Sequence, residues 1–168
     1  MGSLVAQEVA LSRPDRLKAV VLTGSATTFQ SELVAELALV VAAFEDAVPR
    51  EFATEFQRST VHRPMPAGFM DRIVDESMKV PARVWRDALV GTLHYSAGER
   101  LREIDVPALI ACGERDAIAP LDEQRKLNAL IPRSRVSIYE EIGHCPHWEA
   151  TQRFVDELAA FVRASSAP

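Results

Sequence analysis

The sequence predicts an α/β fold in which a remnant of parallel sheet, about three strands, carries flanking helices and an inserted helical layer. Three observations predict it. Short strand-like runs recur at Leu17–Leu22, Pro107–Cys112 and Val136–Tyr139, and the first, apolar with β-branched Val20 and Val21, suits a parallel strand buried on both faces. Amphipathic helical patterns alternate with the last two runs, which is the rhythm of βαβ units. Between the first run and the second, from about Ser25 to Arg100, helical spacing replaces strand patterns altogether.

Taken in order, the chain opens inside a helix pattern, with Leu4, Val5, Val9 and Leu11 near helical spacing and Arg13-Pro14-Asp15 ending it. The Leu17–Leu22 strand follows. The helical section begins with Leu33, Val34, Leu37, Val40, Val41, Phe44 and Val48 as one apolar stripe. Shorter helices are expected around Arg50–Thr60, Gly68–Met78 and Pro81–Leu93, with the proline-marked break His62–Pro66 among them. After the Pro107–Cys112 strand come a helix over Leu121–Ile131, closed by Pro132, and the Val136–Tyr139 strand. A C-terminal helix over Trp148–Val162 places Phe154, Val155, Leu158, Phe161 and Val162 on one face, and the tail Ser165–Pro168 is expected to fray. The organisation predicted is a core segment over 1–26, a helical cap over 27–100 and a second core segment over 101–168.

Composition narrows the function classes. Of the 168 residues, 48% are hydrophobic and 26% charged, and the net charge is −5 with the 19 basic residues scattered. That balance argues against a nucleic-acid partner, because phosphate binding needs clustered positive charge. No apolar stretch reaches the roughly 20 residues of a membrane helix, so no membrane role is expected. No leader is recognisable at the N-terminus, and two cysteines, Cys112 and Cys145, are too few for a disulfide scaffold. Two buried thiols and a cytoplasmic location are the expectation.

Two loops hold the candidate chemistry, Gly113–Pro120 and Gly143–Glu149, each following a strand. In an open parallel sheet, catalytic groups gather at the carboxyl ends of strands. Asp116 and His144, 28 positions apart, can therefore meet there. The carboxylate would fix the imidazole tautomer and leave the other ring nitrogen to take a proton from a nucleophile. His144, Cys145 and His147 are too crowded along the chain for the usual metal-ligand spacing, so no metal and no cofactor are expected. Met65, Phe69, Met78, Trp85 and His94 are candidates for an apolar substrate pocket, and each also suits plain packing.

Here the residues resemble a family. Leu101-x-x-Ile-x-Val-Pro-Ala-Leu-Ile-x-x-Gly-Glu-x-Asp-x-x-x-Pro is similar to the α/β-hydrolase segment that delivers a triad acid. Gly143-His144-x-Pro-His147-x-Glu149 resembles the segment that delivers the triad histidine, and Pro14–Leu22 resembles the run into the family's sixth strand. The resemblance implies a partial α/β-hydrolase, with Asp116 as the acid and His144 as the general base. The family's nucleophile is a serine in Gly-x-Ser-x-Gly, on a strained turn between strand and helix. Met1-Gly2 and the helix after it match the end of that motif, so the nucleophile would precede Met1, and the Met1 nitrogen would be one oxyanion donor. Ser3 lies two positions too late, on the helix, where capping or packing accounts for it.

Three functions compete. The chain is expected to be the C-terminal part of an enzyme that hydrolyses a carboxylic ester or related bond, on a small-molecule substrate, and to be inactive alone. Relatives of the same fold with an aspartate nucleophile act on epoxides or haloalkanes, and others transfer acyl groups. The third is non-catalytic: half of a split protein that binds its missing N-terminal half, or itself, through the open edge of the Leu17–Leu22 strand.

Overall fold

A computed structural model describes residues 1–165. The expectation for the tail beyond Ser165 lies outside the described residues. The elements are α1 (Gly2–Ser12), β1 (Val20–Thr23), α2 (Glu32–Ala42), α3 (Arg50–Ser59), α4 (Phe69–Ser77), α5 (Ala82–His94), β2 (Ala108–Gly113), α6 (Leu121–Leu130), β3 (Ser134–Tyr139), α7 (Pro146–Glu149) and α8 (Thr151–Ser165). Short 3₁₀ turns at Pro14–Arg16 and Gly98–Glu103 lead into β1 and β2.

The three strands form one parallel sheet in the order β1-β2-β3, with Leu22 opposite Ile110 and Ile110 opposite Val136. Every residue of β2 is buried, as a central parallel strand covered on both faces must be. One core layer joins α1, the sheet and α6 through Ala10, Leu22, Leu101, Ile104, Ile110, Leu127 and Ile131. A second packs Tyr139, Ile142 and Ala111 against Phe154 of α8. Cys112 and Cys145 are buried and unpaired. Among the described residues no helix is long and apolar enough to cross a membrane.

Three local expectations need correction. β1 begins at Val20 rather than Leu17, because the Pro14–Arg16 turn still directs the chain there and pairing starts only where Val20 meets β2. The apolar stripe of α2 is not one buried face: Val34 and Val41 are buried, whereas Leu33 and Val40 are 49% and 48% exposed. On the C-terminal face Phe161 is buried, but Val155 and Val162 are half exposed, and a break at Ala150 separates α7 from α8.

The helical section packs on itself. α2 lies along α5 and α3 along α4. Its interior is aromatic, with Phe44, Phe52, Phe56 and Trp85 meeting at ring separations of 5.0 to 6.4 Å, mostly edge to face.

Candidate active site

β2 and β3 run parallel and in register, so the loops leaving them emerge side by side. The backbone ties them together: Glu114 N–H donates to Tyr139 O at 2.9 Å and Arg115 N–H to Ile142 O at 2.8 Å. The approach is so close that a Cβ at Gly113 would stand 1.9 Å from Gly143 O and 2.3 Å from Ile142 O. A side chain larger than hydrogen cannot be placed there without moving backbone.

Within this frame Asp116 turns its carboxylate inward. Oδ1 accepts the N–H groups of Ile118 and Ala119, each at 2.9 Å, which closes the turn by a local side-chain bond. Oδ2 lies 2.8 Å from Nδ1 of His144. The Asp116 side chain is fully buried, while 23% of the His144 side chain is exposed. The carboxylate accepts from all three donors, and as the acceptor facing the ring it sets the imidazole so that Nδ1 carries the hydrogen.

His144 is held from two more sides. Its N–H donates to the carbonyl of Thr60, at the end of α3, at 2.9 Å. Gly24, directly after β1, has φ +52°, and a Cβ there would come within 2.6 Å of the imidazole Cε1. A left-handed backbone and ring contact both require glycine at this point. Sequence reasoning missed Gly24 and Thr60. Gly24 had a signal, a glycine at the carboxyl end of a parallel strand. Thr60 had none, since only the tertiary fold brings α3 to the histidine.

The other candidates divide. Burial pushes the Cys145 thiol up to about 12 and the Cys112 thiol to about 11, so neither supplies a thiolate near neutrality. Burial, and then the neighbouring His144, lowers the pKa of His147. Among the described residues no cluster of three or more His, Cys, Asp or Glu side chains is placed to hold a metal.

A cavity of about 380 Å³ lies between α2, α3, α5 and the strand-end loops. Among the described residues His144 is the only ionisable side chain that lines it; Met1, Phe29, Leu37, Trp85 and Ile118 contribute to its largely apolar wall. Of the five pocket candidates, Trp85 lines this cavity and the others do not. Phe69 packs edge to face on Trp148, Met78 joins the Val48–Val74 cluster, and His94 Nδ1 bonds Val90 O within its own helix. Met65 sits half-buried in the loop before α4.

A parallel sheet delivering a buried aspartate and a histidine to one rim defines a hydrolase-type α/β core. The family model for the alpha/beta hydrolase fold matches residues 1–151, and the chain belongs to that family. Among curated proteins it is similar to a pimeloyl-(acyl-carrier protein) methyl ester esterase of Neisseria meningitidis serogroup C, 28% identical over 171 residues. That match covers 96% of this chain and 66% of the relative, so the chain spans just under two thirds of the relative's length. A 2-hydroxy-6-oxononadienedioate/2-hydroxy-6-oxononatrienedioate hydrolase 2 of Pseudomonas putida is 39% identical over 57 residues, 34% of this chain and 20% of that protein. Among solved structures, an esterase from Exiguobacterium antarcticum superposes with a TM-score of 0.86 at 17% identity, covering 96% of this chain and 63% of the other. An enol-lactonase from Burkholderia xenovorans superposes at 0.82 and 20% identity, covering 97% and 63%. These structural likenesses show the fold.

Proposed function

We propose that this chain supplies the acid and the base of a Ser-His-Asp triad in an ester hydrolase acting on an uncharged, apolar ester. The observation that carries the reading is the Asp116–His144 pair at 2.8 Å, opening onto an apolar cavity in which His144 is the only ionisable side chain among the described residues. In this reading Asp116 holds Nδ1–H, and Nε2 takes the proton of a serine hydroxyl as that oxygen attacks the ester carbonyl. His144 then returns the proton to the departing alcohol, and a water activated by the same nitrogen releases the acyl group.

The nucleophile belongs to the residue ahead of Met1 in a longer polypeptide. Met1 lining the same cavity as His144 supports this, because the family's serine sits one position earlier on the turn into this helix. β1 pairs only with β2 among the described residues, which supports docking of the remaining strands, from the same chain or a second one, along its outer side. The helices α2–α5 form the cap. The methyl ester esterase relatives favour ester chemistry over epoxide, haloalkane or acyl-transfer chemistry.

The cavity wall also speaks to substrate charge. In the longer polypeptide, where the Met1 nitrogen is an uncharged amide, a carboxylate on the acyl chain would enter a wall to which, among the described residues, no Lys or Arg contributes, at a cost of several kcal/mol. The longer polypeptide is expected to hydrolyse p-nitrophenyl esters and to lose that activity in His144→Ala. The 168 residues alone are expected to match buffer. Ester turnover by them that disappears in His144→Ala overturns the placement of the nucleophile. Methyl octanoate should bind the cavity roughly a hundredfold more tightly than the monomethyl ester of octanedioic acid, and equal affinities would remove the charge argument.

A further inference from the structure

The segment that delivers His144 ends in Glu149, a carboxylate that the proposed chemistry leaves unused. Its two oxygens face different parts of the chain. Oε1 accepts the N–H of Gly143, directly before the histidine, at 2.8 Å. Oε2 accepts the N–H groups of His62 and Arg63, both at 2.7 Å, in the loop between α3 and α4. The same two segments touch again where His144 N–H meets Thr60 O. They press together so closely that a Cβ at Gly143 would lie 2.9 Å from both His62 N and Thr60 O. Outside this contact Arg63 Nη2 donates to Glu140 O at 3.3 Å, and His62 Nε2 lies 3.3 Å from Glu141.

We propose that Glu149 is a positioning residue for His144. It clasps the Thr60–Arg63 loop of the helical section to the histidine loop, so that seating the helices over the cavity and placing the base are one event. Three backbone donors converge on a single anion, and charge-assisted bonds of this kind are short and directional. Glu149 touches no reacting atom. It acts through Gly143 on one side and through Thr60 on the other, and Thr60 both lines the cavity and accepts from His144. A ligand that bears on Ser59 and Thr60 therefore bears on the histidine as well. The inference rests on the reading of His144 as the base.

Hydrogen exchange followed by NMR on the 168-residue chain tests it without requiring turnover. The unsubstituted chain is expected to show a protected His144 Nδ1–H. In Glu149→Ala that ring proton and the amides of Gly143, His62 and Arg63 should all exchange at least about tenfold faster, at a temperature where the chain stays folded. Glu157→Ala removes the acceptor of Tyr139 Oη and Ser137 Oγ, and serves as a control for lost stability alone. It should leave those four rates within about twofold. Glu149→Gln keeps one acceptor oxygen and guards against a misfolded alanine variant. It should restore protection on the Gly143 side or on the His62–Arg63 side, but not on both.

A ring proton that keeps its rate in a folded Glu149 variant, while the three amides speed up, reduces Glu149 to a loop staple and overturns the proposal. A ring proton unprotected in the unsubstituted chain overturns the proposal together with the Asp116 pairing. A protected, Glu149-dependent ring in a longer polypeptide that hydrolyses no ester overturns the functional reading and leaves the positioning role standing.

Discussion

The strand-end loops that carry Asp116 and His144 are fixed by backbone contact and polar bonds, whereas the helical section from Glu32 to His94 is held by side-chain packing. Two glycines make the contrast concrete. Gly113 lies where an added Cβ would meet carbonyl oxygens at 1.9 and 2.3 Å, and Gly91, in α5, has open space within 4 Å. The loops bury a carboxylate and give it three partners. The helices instead leave Leu39 74% and Val90 51% exposed, and keep their order through a cluster of four aromatic rings. In the proposed reading these groups handle a proton and must be placed within about 0.5 Å, which backbone does better than interdigitated side chains. An apolar wall that only has to exclude water and match a volume tolerates looser assembly.

The sharpest break of this contrast is Gly113→Ala. The new methyl collides with main chain, which cannot swing aside as a flexible side chain would. The expected loss is about 3 kcal/mol or more, lowering the melting temperature by roughly 10 °C. A Gly113→Ala chain melting within about 2 °C of the parent would mean that the two loops are not locked together. Trp85→Ala probes the other region. Its ring packs against Phe52 and Phe56 at 6.0 and 5.3 Å and is half-buried. The expected cost is about 2–3 kcal/mol, measured by urea unfolding. Apolar ester binding should weaken while the His144–Asp116 pair keeps its NMR signature. Loss of that signature in a folded Trp85→Ala chain would show that the aromatic interior, and not only the Glu149 contact with the Thr60–Arg63 loop, sets the histidine.

Gly91→Ala has the opposite sign. In the open interior of α5 alanine relieves the entropic cost of glycine and meets nothing, so stability should rise by about 0.5–1 kcal/mol. A drop in the denaturation midpoint would reveal a contact on that face of α5 that the isolated chain does not explain.

The same contrast governs what the sequence made legible. Asp116 and His144 could be picked out because each follows an apolar strand and sits among glycines and prolines, signals that are local and tied to sheet topology. The partners that hold them, Thr60 and Gly24, come from distant segments whose approach is set by packing. In the helical section the sequence offers Phe69, Met78 and Trp85 for a pocket or for plain packing, but not which neighbour each meets. Only Trp85 reaches the cavity, while Phe69 turns to Trp148 and Met78 to the Val48–Val74 cluster. Val155 and Val162 misled for a related reason: the apolar residues of α8 span more of its circumference than β3 and its neighbours cover, so Phe161 is buried and the two valines stay half exposed.

His147 offers the smallest effect and the finest probe of the loop region. Its ring lies 5.1 Å from Trp148 and 5.9 Å from Phe154, and burial, followed by the charge of a protonated His144, holds its pKa below the usual histidine value. The folded chain therefore resists protonating a group that the unfolded chain protonates near pH 6.5. As pH falls below that value the unfolded state binds the extra proton first, so stability declines with acidity and is regained as pH rises. His147→Gln keeps a polar side chain of similar reach but cannot titrate. Urea midpoints measured at about pH 7.5 and about pH 5.5 should fall less on acidification in the variant than in the parent. Equal declines would place the pH sensitivity elsewhere. A steeper decline in the variant would mean that His147 gains a partner when protonated, and that this loop is less rigid than the tight contact at Gly113 implies.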